Sequence, residues 1–424
     1  MKSFVFQRFI PDFQKIYAFD VPASKSILNR ALLLSAFSEG DVFLKCGSFG
    51  EDTRAILGCL ASLGIRCEVH SDGISVRGAG KNFPNKRAEL DVMSAGTCAR
   101  FLPAALAAIG GDYRFTSSEQ MKKRPMEFLS ALENAGAEIE FSEKKNAFPF
   151  RLCSEGFSRN EFTVDTDTST QYASALLIAG ALGKDKTDVR LLGSRTEGSY
   201  VKMTLSLLSA FGADWTRNGN IITVFPATRP PKEFEVEADL SAACYFYALA
   251  LLFGIKVLVR RVKKNSLQGD IRFLDLLERR GVRFTETTDG LIADAVGVSS
   301  FSGFEENFKD FSDQTLTAAA LAPFASSPTR ITGIGHIRKQ ECDRIFAIEK
   351  NLTALKVPCE SGNDFVHISP AKPVGGTVET FNDHRVAMAF ALTGLKTGNL
   401  AIDDAECVKK TFEGYFDELE KLFP

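Results

Sequence analysis

Apolar residues fill almost every side of the stretch from Ile27 to Ala36, where Leu28, Ala31, Leu32, Leu33 and Leu34 leave few positions for solvent. A helix that is apolar all round is a buried helix. Its start is polar: in P-A-S-K-S from Pro22, Ser24 or Ser26 can cap the helix, and Lys25, Asn29 and Arg30 stand on its first turns. Free N–H groups and the positive end of the dipole favour anions there, so two added cations and a hydroxyl make a seat for a phosphate or carboxylate. The same polar start and Ala/Leu-rich body return at S-A-G-T-C-A-R from Ser94, D-T-S-T-Q-Y-A-S-A-L-L from Asp167 and D-L-S-A-A-C-Y-F from Asp239. They return again at S-D-Q-T-L-T-A-A-A from Ser312 and N-D-H-R-V-A-M-A from Asn382. With Ser26, Thr97, Thr170, Ser241, Asp313 and Asp383 as markers, the intervals are 71, 73, 71, 72 and 70 residues, which is an internal repeat.

Between these starts lies a second element of the same period. An amphipathic helix ends at Gly64, Gly136, Gly212, Gly281 or Lys356, and two short runs of strand character follow it. A sixth such helix, from Lys410 to Phe423, closes the chain with no strands after it, and the unpaired run Phe4 to Phe9 can supply the missing one. Six α/β units in this length divide most simply into two domains of three, with buried parallel helices and small sheets. Because the N-terminal strand completes the last unit, one domain is expected to be discontinuous, residues 1–20 plus 240–424, with 21–239 inserted. Six polar helix starts then face a cleft between the domains, an anion trap made by the fold itself.

Composition narrows the chemistry further. The 424 residues carry a net charge of −2, so no global field invites nucleic acid or a membrane surface, and any basic site must be local. Nine cysteines without a C-x-x-C pair point to reduced, mostly buried thiols in a cytoplasm. Four scattered histidines argue against a metal site. No targeting segment or membrane-length apolar run is apparent. The expected partners are small anionic molecules, bound by a monomer without a cofactor.

The remaining polar residues crowd at the predicted helix starts: Lys25, Ser26 and Arg30; Gly96 and Thr97; Ser169, Thr170 and Gln171; Asp313; Asp383, His384 and Arg385. Arg124 in K-K-R-P, Glu341 and Arg344 in Q-E-C-D-R, and Lys410 add to them. So many cations imply substrates with several negative charges, while Asp313 and Glu341 are available as acid and base. Across nearly the whole chain K-S-x-x-N-R, A-G-T, R-P, S-T-Q-Y, Q-G-D-I-R-F, E-x-D-R-I, D-H-R-x-A-M and K-T-F-x-x-Y-F follow one another. In that order and spacing the chain resembles the EPSP synthase (3-phosphoshikimate 1-carboxyvinyltransferase) family of enolpyruvyl transferases.

The resemblance implies an inside-out α/β barrel of the enolpyruvyl transferase type, in two domains of three repeats. It also implies transfer of the enolpyruvyl group of phosphoenolpyruvate to the 5-hydroxyl of shikimate-3-phosphate with release of phosphate. By the same resemblance Lys25, Gly96, Arg124, Gln171, Arg344, Arg385 and Lys410 would hold phosphoenolpyruvate. Lys25, Ser26, Arg30, Ser169, Thr170, Tyr200, Asp313, His336 and Gln340 would hold shikimate-3-phosphate, and Asp313, Glu341 and Lys25 would be catalytic. The chain departs from the family's common pattern at Ser94, Phe101, Glu197, His336 and Gln340. At position 340 a lysine is common; glutamine donates a hydrogen bond but supplies no cation. The alternatives are the sister transferase acting on UDP-N-acetylglucosamine and a non-catalytic anion-binding paralogue. The first commonly has a cysteine just before its R-P motif, and Gln120 to Lys123 contains none.

Overall fold

The six repeated starts lead into six helices, Lys25–Ala36 (α1), Gly96–Ile109 (α2), Thr170–Leu182 (α3), Leu240–Phe253 (α4), Thr315–Leu321 (α5) and His384–Thr397 (α6). Every residue of α2, α4 and α5 is buried, as their largely apolar patterns lead one to expect. The chain is described by a computed structural model covering residues 3–423, and among these no helix is long and apolar enough to cross a membrane.

Two units divide the chain. One is Ala23–Val236, with α1 to α3; the other joins the described residues through Pro22 to those from Glu237 onward, with α4 to α6. Each has its own hydrophobic core, so neither relies on the other's apolar residues for a packed interior.

Within a repeat, the buried helix is the crossover between two parallel strands. Arg87–Asp91 runs parallel to Gly111–Thr116 across α2, and Gly111–Thr116 pairs antiparallel with Phe150–Ser154, which pairs with Glu138–Phe141. Sequence patterning identified the last two strands of the first five units but not the first two, and in the sixth only the closing N-terminal strand. Two of those first strands are exchanged: Ile16–Phe19, just before α1, pairs with Lys256–Arg260 after α4, while Glu233–Glu235, just before α4, pairs with Glu39–Lys45 after α1. Each strand therefore belongs to the sheet of its own unit and not to the helix that follows it. The closing strand is Phe4–Phe6, shorter than the run 4–9, and it pairs antiparallel with Leu400–Ile402, which runs parallel to Gly376–Val378.

The terminators behave as expected, with Gly64 at φ +77 and Gly212 at φ +73, and Lys356 takes φ +63 without being glycine. The starts differ more. Ser169, Asp239 and Asp383 accept from the backbone N–H groups of Gln171, Ala242 and Arg385, but Ser24 occupies the cap position of α1 with no side-chain cap bond. Neither Ser24 nor Ser26 therefore caps α1 through its hydroxyl. The α2 start is the apolar Ala95, and Asp313 lies in a 3-10 turn, Ser312–Gln314, that precedes α5. The last helix is confined to Tyr415–Glu420, because Lys410 ends a separate 3-10 turn and Gly414 precedes the helix.

Candidate active site

In the unit containing α4 to α6, the side chains at three helix starts converge on Arg344. This residue opens the helix Arg344–Ala354 and is 1% exposed. Its Nε donates to Asp383 Oδ2 at 2.8 Å and its Nη2 to Glu341 Oε2 at 2.9 Å, while Nη1 donates to Asp313 Oδ1 at 3.2 Å and to the amide oxygen of Gln340. Burial alone would weaken its hold on its proton. The carboxylates of Asp383, Glu341 and Asp313 outweigh that and shift its pKa above the ordinary arginine value. Arg385 reaches the other oxygen of Asp313 at 2.9 Å, and Lys410, itself buried, lies 3.7 Å from Glu341 Oε1. Arg344, Arg385 and Lys410 are thus interleaved with Asp313, Glu341 and Asp383.

Gln340 acts here as an acceptor, not as the donor expected in place of a lysine. The segment before it, Gly335–Lys339, is a 3-10 turn on which Lys339 is exposed. His336 Nε2 is 2.8 Å from the hydroxyl of Ser312, one residue before Asp313, and His384 Nδ1 is 3.6 Å from Asp383 Oδ1.

The unit containing α1 to α3 holds the other residues, again at helix starts. Arg30, 1% exposed, donates to the Ser26 carbonyl at 2.6 Å, to Thr204 Oγ1 at 2.9 Å and to Ser174 Oγ at 3.0 Å. Its guanidinium carbon lies 4.8 Å from the Phe101 ring centre and 6.0 Å from that of Tyr200. Burial draws its pKa down to about 10, with Tyr200 opposing. Among the described residues its hydrogen-bond partners are all neutral oxygens, so an anion arriving there meets a largely uncompensated cation. Lys25, by contrast, pairs with buried Asp52 at 3.0 Å. Phe101, a departure from the family pattern, is a wall for Arg30. Glu197, another departure, is exposed and pairs with Arg217 at 2.5 Å.

A Cβ at Gly96 would stand 2.8 Å from Arg124 Nη1, so only glycine lets that guanidinium lie against the start of α2. At the start of α3, Ser169 is the cap, Thr170 is buried and Gln171 is half-buried.

The family model of EPSP synthase (3-phosphoshikimate 1-carboxyvinyltransferase) matches residues 18–419. The chain belongs to the EPSP synthase family. Among its relatives, it is 36% identical to a 3-phosphoshikimate 1-carboxyvinyltransferase of Nostoc sp. over 95% of this chain and 96% of that one. It is 34% identical to the enzyme of that name from Vibrio cholerae, again over 95% of this chain and 96% of the other. It is also similar in structure to an EPSP synthase from Acinetobacter baumannii, with TM-score 0.81 and 25% identity, over 100% of this chain and 98% of that one. The two-unit, repeated α/β architecture is the one expected of the family.

Sequence reasoning missed the contacts that hold the family motifs in place, including those of Asn29, which it had set on the first turns of α1. Asp52 partners Lys25. Asn29 joins Thr97 at 2.7 Å and Thr53 at 2.9 Å, linking the first two helix starts. Arg100 donates to the Pro125 carbonyl at 2.8 Å and to the Gly96 carbonyl at 3.3 Å, tying the turn that bears Arg124 to α2. Arg100 stood in the quoted run S-A-G-T-C-A-R, and a cation on an otherwise apolar helix was a signal that it has a buried polar task.

Proposed function

We infer that this protein is a 3-phosphoshikimate 1-carboxyvinyltransferase: it transfers the enolpyruvyl group of phosphoenolpyruvate to the 5-hydroxyl of shikimate-3-phosphate and releases phosphate. Beside the family membership, the observation that carries the chemistry is that one guanidinium, Arg344, contacts both Asp313 and Glu341. A base and an acid flanking one anion-binding cation is what addition to an enol phosphate needs. In our reading Asp313 takes the proton from the 5-hydroxyl as its oxygen bonds to C2 of phosphoenolpyruvate, and Glu341 gives a proton to the C3 methylene. Elimination then reverses the second transfer: Glu341 removes a proton from the new methyl group, the C2–O bond to phosphate breaks, and the proton on Asp313 leaves with the phosphate. Arg344, Arg385, Lys410, Arg124, Gln171, Gly96 and Lys25 would hold the donor. Lys25, Ser26, Arg30, Ser169, Thr170, Tyr200, Asp313, His336 and Gln340 would hold the acceptor.

The uncompensated Arg30 supports a phosphate on the acceptor side. One chain supplies every residue, so a monomer suffices. The absence of disulfides among the described cysteines accords with a reducing cytoplasm. A steady-state phosphate-release assay with phosphoenolpyruvate and each acceptor in turn tests the function. Release is expected with shikimate-3-phosphate and none with UDP-N-acetylglucosamine; the opposite pattern would assign the chain to the sister activity.

A further inference from the structure

The motif Q-G-D-I-R-F has no part in the chemistry above, yet two of its polar residues, Gln268 and Asp270, are buried while Arg272 is exposed. Gln268 and Asp270 are 4% and 5% exposed and lie just before the helix Ile271–Glu278. Gln268 serves the backbone: its Oε1 accepts from the N–H of Leu240 at 3.0 Å, and its Nε2 donates to the Ala238 carbonyl at 2.9 Å and to Glu237 at 3.0 Å. Asp270 faces a different task. Its Oδ2 accepts from Ser241 Oγ at 2.9 Å, on the first turn of α4, and its Oδ1 accepts from Gln314 Nε2 at 2.8 Å. Gln314 is fully buried and directly follows Asp313; its own Oε1 accepts from Thr317 Oγ1 at 2.9 Å, and its Nε2 also lies 3.4 Å from the Ser241 carbonyl.

The side chain of Gln314 is therefore fixed at both ends, once to α5 and once to Asp270. We propose that Asp270 is a positioning residue for the proton-accepting carboxylate: through Gln314 it holds the 3-10 turn that presents Asp313, and its negative charge acts on Asp313 across that turn.

A buried carboxylate is costly to keep without a cation in direct contact, and an amide or hydroxyl would satisfy the same donors. What only a carboxylate adds is charge. Burial, and next the charge of Asp313, push the Asp270 carboxyl up to about 6, against the pull of Arg385, Gln314 and Ser241. The coupling is reciprocal, so Asp270 favours the protonated form of Asp313 as well. Among the described residues the charged groups that act on Asp270 are Asp313 on the turn and Arg385 at the start of α6, and the Cys244 thiol of α4, which Asp239 also faces, lies 3.9 Å from the Asp270 carbonyl.

This inference rests on Asp313 being the base, so three variants are measured together: Asp313→Asn, Asp270→Asn and Gln314→Met. Asp313→Asn is expected to lose turnover. Asp270→Asn keeps an acceptor and a donor for its two partners but removes the charge, and the acidic limb of its kcat–pH profile is expected to move to lower pH. Gln314→Met keeps the volume and cuts the link, and its kcat is expected to fall about tenfold or more, since a misplaced reacting group costs that much, with both KM values within about twofold of wild type. Normal turnover in Asp313→Asn would overturn the assignment of the base and this inference with it. Loss in Asp313→Asn beside an unmoved acidic limb in folded Asp270→Asn would overturn the inference alone. If Asp270→Asn does not fold, Gln314→Met decides, and wild-type kcat there would overturn the positioning role.

Discussion

Asp313 and Glu341 share a cation, and their side chains are 15% and 9% exposed, so their ionised forms depend on fixed partners more than on water. Asp313→Asn and Glu341→Gln keep the shape of each group and remove its proton chemistry. Each is expected to lower kcat by roughly 10²-fold or more while the protein still folds. Turnover within a few-fold of wild type in either variant would move the proton transfer to another group. Gly96→Ala tests the donor side. The added Cβ falls 2.8 Å from the end of a flexible side chain, so the backbone can stay and the Arg124 guanidinium must shift. A displaced charge-assisted contact is worth about 1.5–3 kcal/mol, so the KM for phosphoenolpyruvate is expected to rise about tenfold or more with little change in kcat. An unchanged KM would show that Arg124 does not need that position. The side chains that touch these two acids were legible as types at helix starts. Asp383 was read as a helix start, and its second task, accepting two bonds from Arg344, was not legible because it joins positions 39 residues apart.

At the scale of elements, Asp383 couples secondary structure to the site. It caps α6 by accepting from the Arg385 N–H at 2.9 Å and also accepts from buried Arg344. Asp383→Ala removes a cap, worth about 1 kcal/mol, and leaves a buried guanidinium short of a partner, worth about 3–5 kcal/mol. A loss of several kcal/mol in unfolding free energy, measured by denaturant titration, is expected, with a smaller loss in Asp383→Asn, which can still cap. Equal losses in the two variants would mean that the cap contributes nothing, and no loss in Asp383→Asn would mean that the charge contributes nothing. The buried helices could be read from sequence because an all-apolar face has no other stable setting, and the period near 71 residues repeated that signal six times. The leading strands could not. Runs such as Arg87–Asp91, with alternating burial on an otherwise charged segment, and the three-residue Glu233–Glu235 look like loop in isolation, and only pairing across the sheet defines them.

For the whole molecule, the separation of the two cores makes a strong expectation. A fragment spanning residues 23–236 contains a complete hydrophobic cluster and three four-stranded sheets, including the parallel partner Glu233–Glu235 of Glu39–Lys45. It is expected to melt cooperatively and to give dispersed amide resonances, yet to release no phosphate, since Asp313, Glu341 and Arg344 lie outside it. Non-cooperative melting of the fragment would show that the second unit is needed to fold the first. The other unit has the opposite property, because its strand Phe4–Phe6 pairs with Leu400–Ile402. A ribosome makes Leu400–Ile402 roughly 400 residues after Phe4–Phe6, and at about 5–20 residues per second the wait is roughly 20 to 80 seconds. Throughout that wait the N-terminal strand has no sheet to join, while residues 23–236 have all their partners once Val236 has been made. Residues 23–236 are therefore expected to fold on the emerging chain, and the unit that surrounds them in sequence to be completed only after Leu400–Ile402 has left the ribosome.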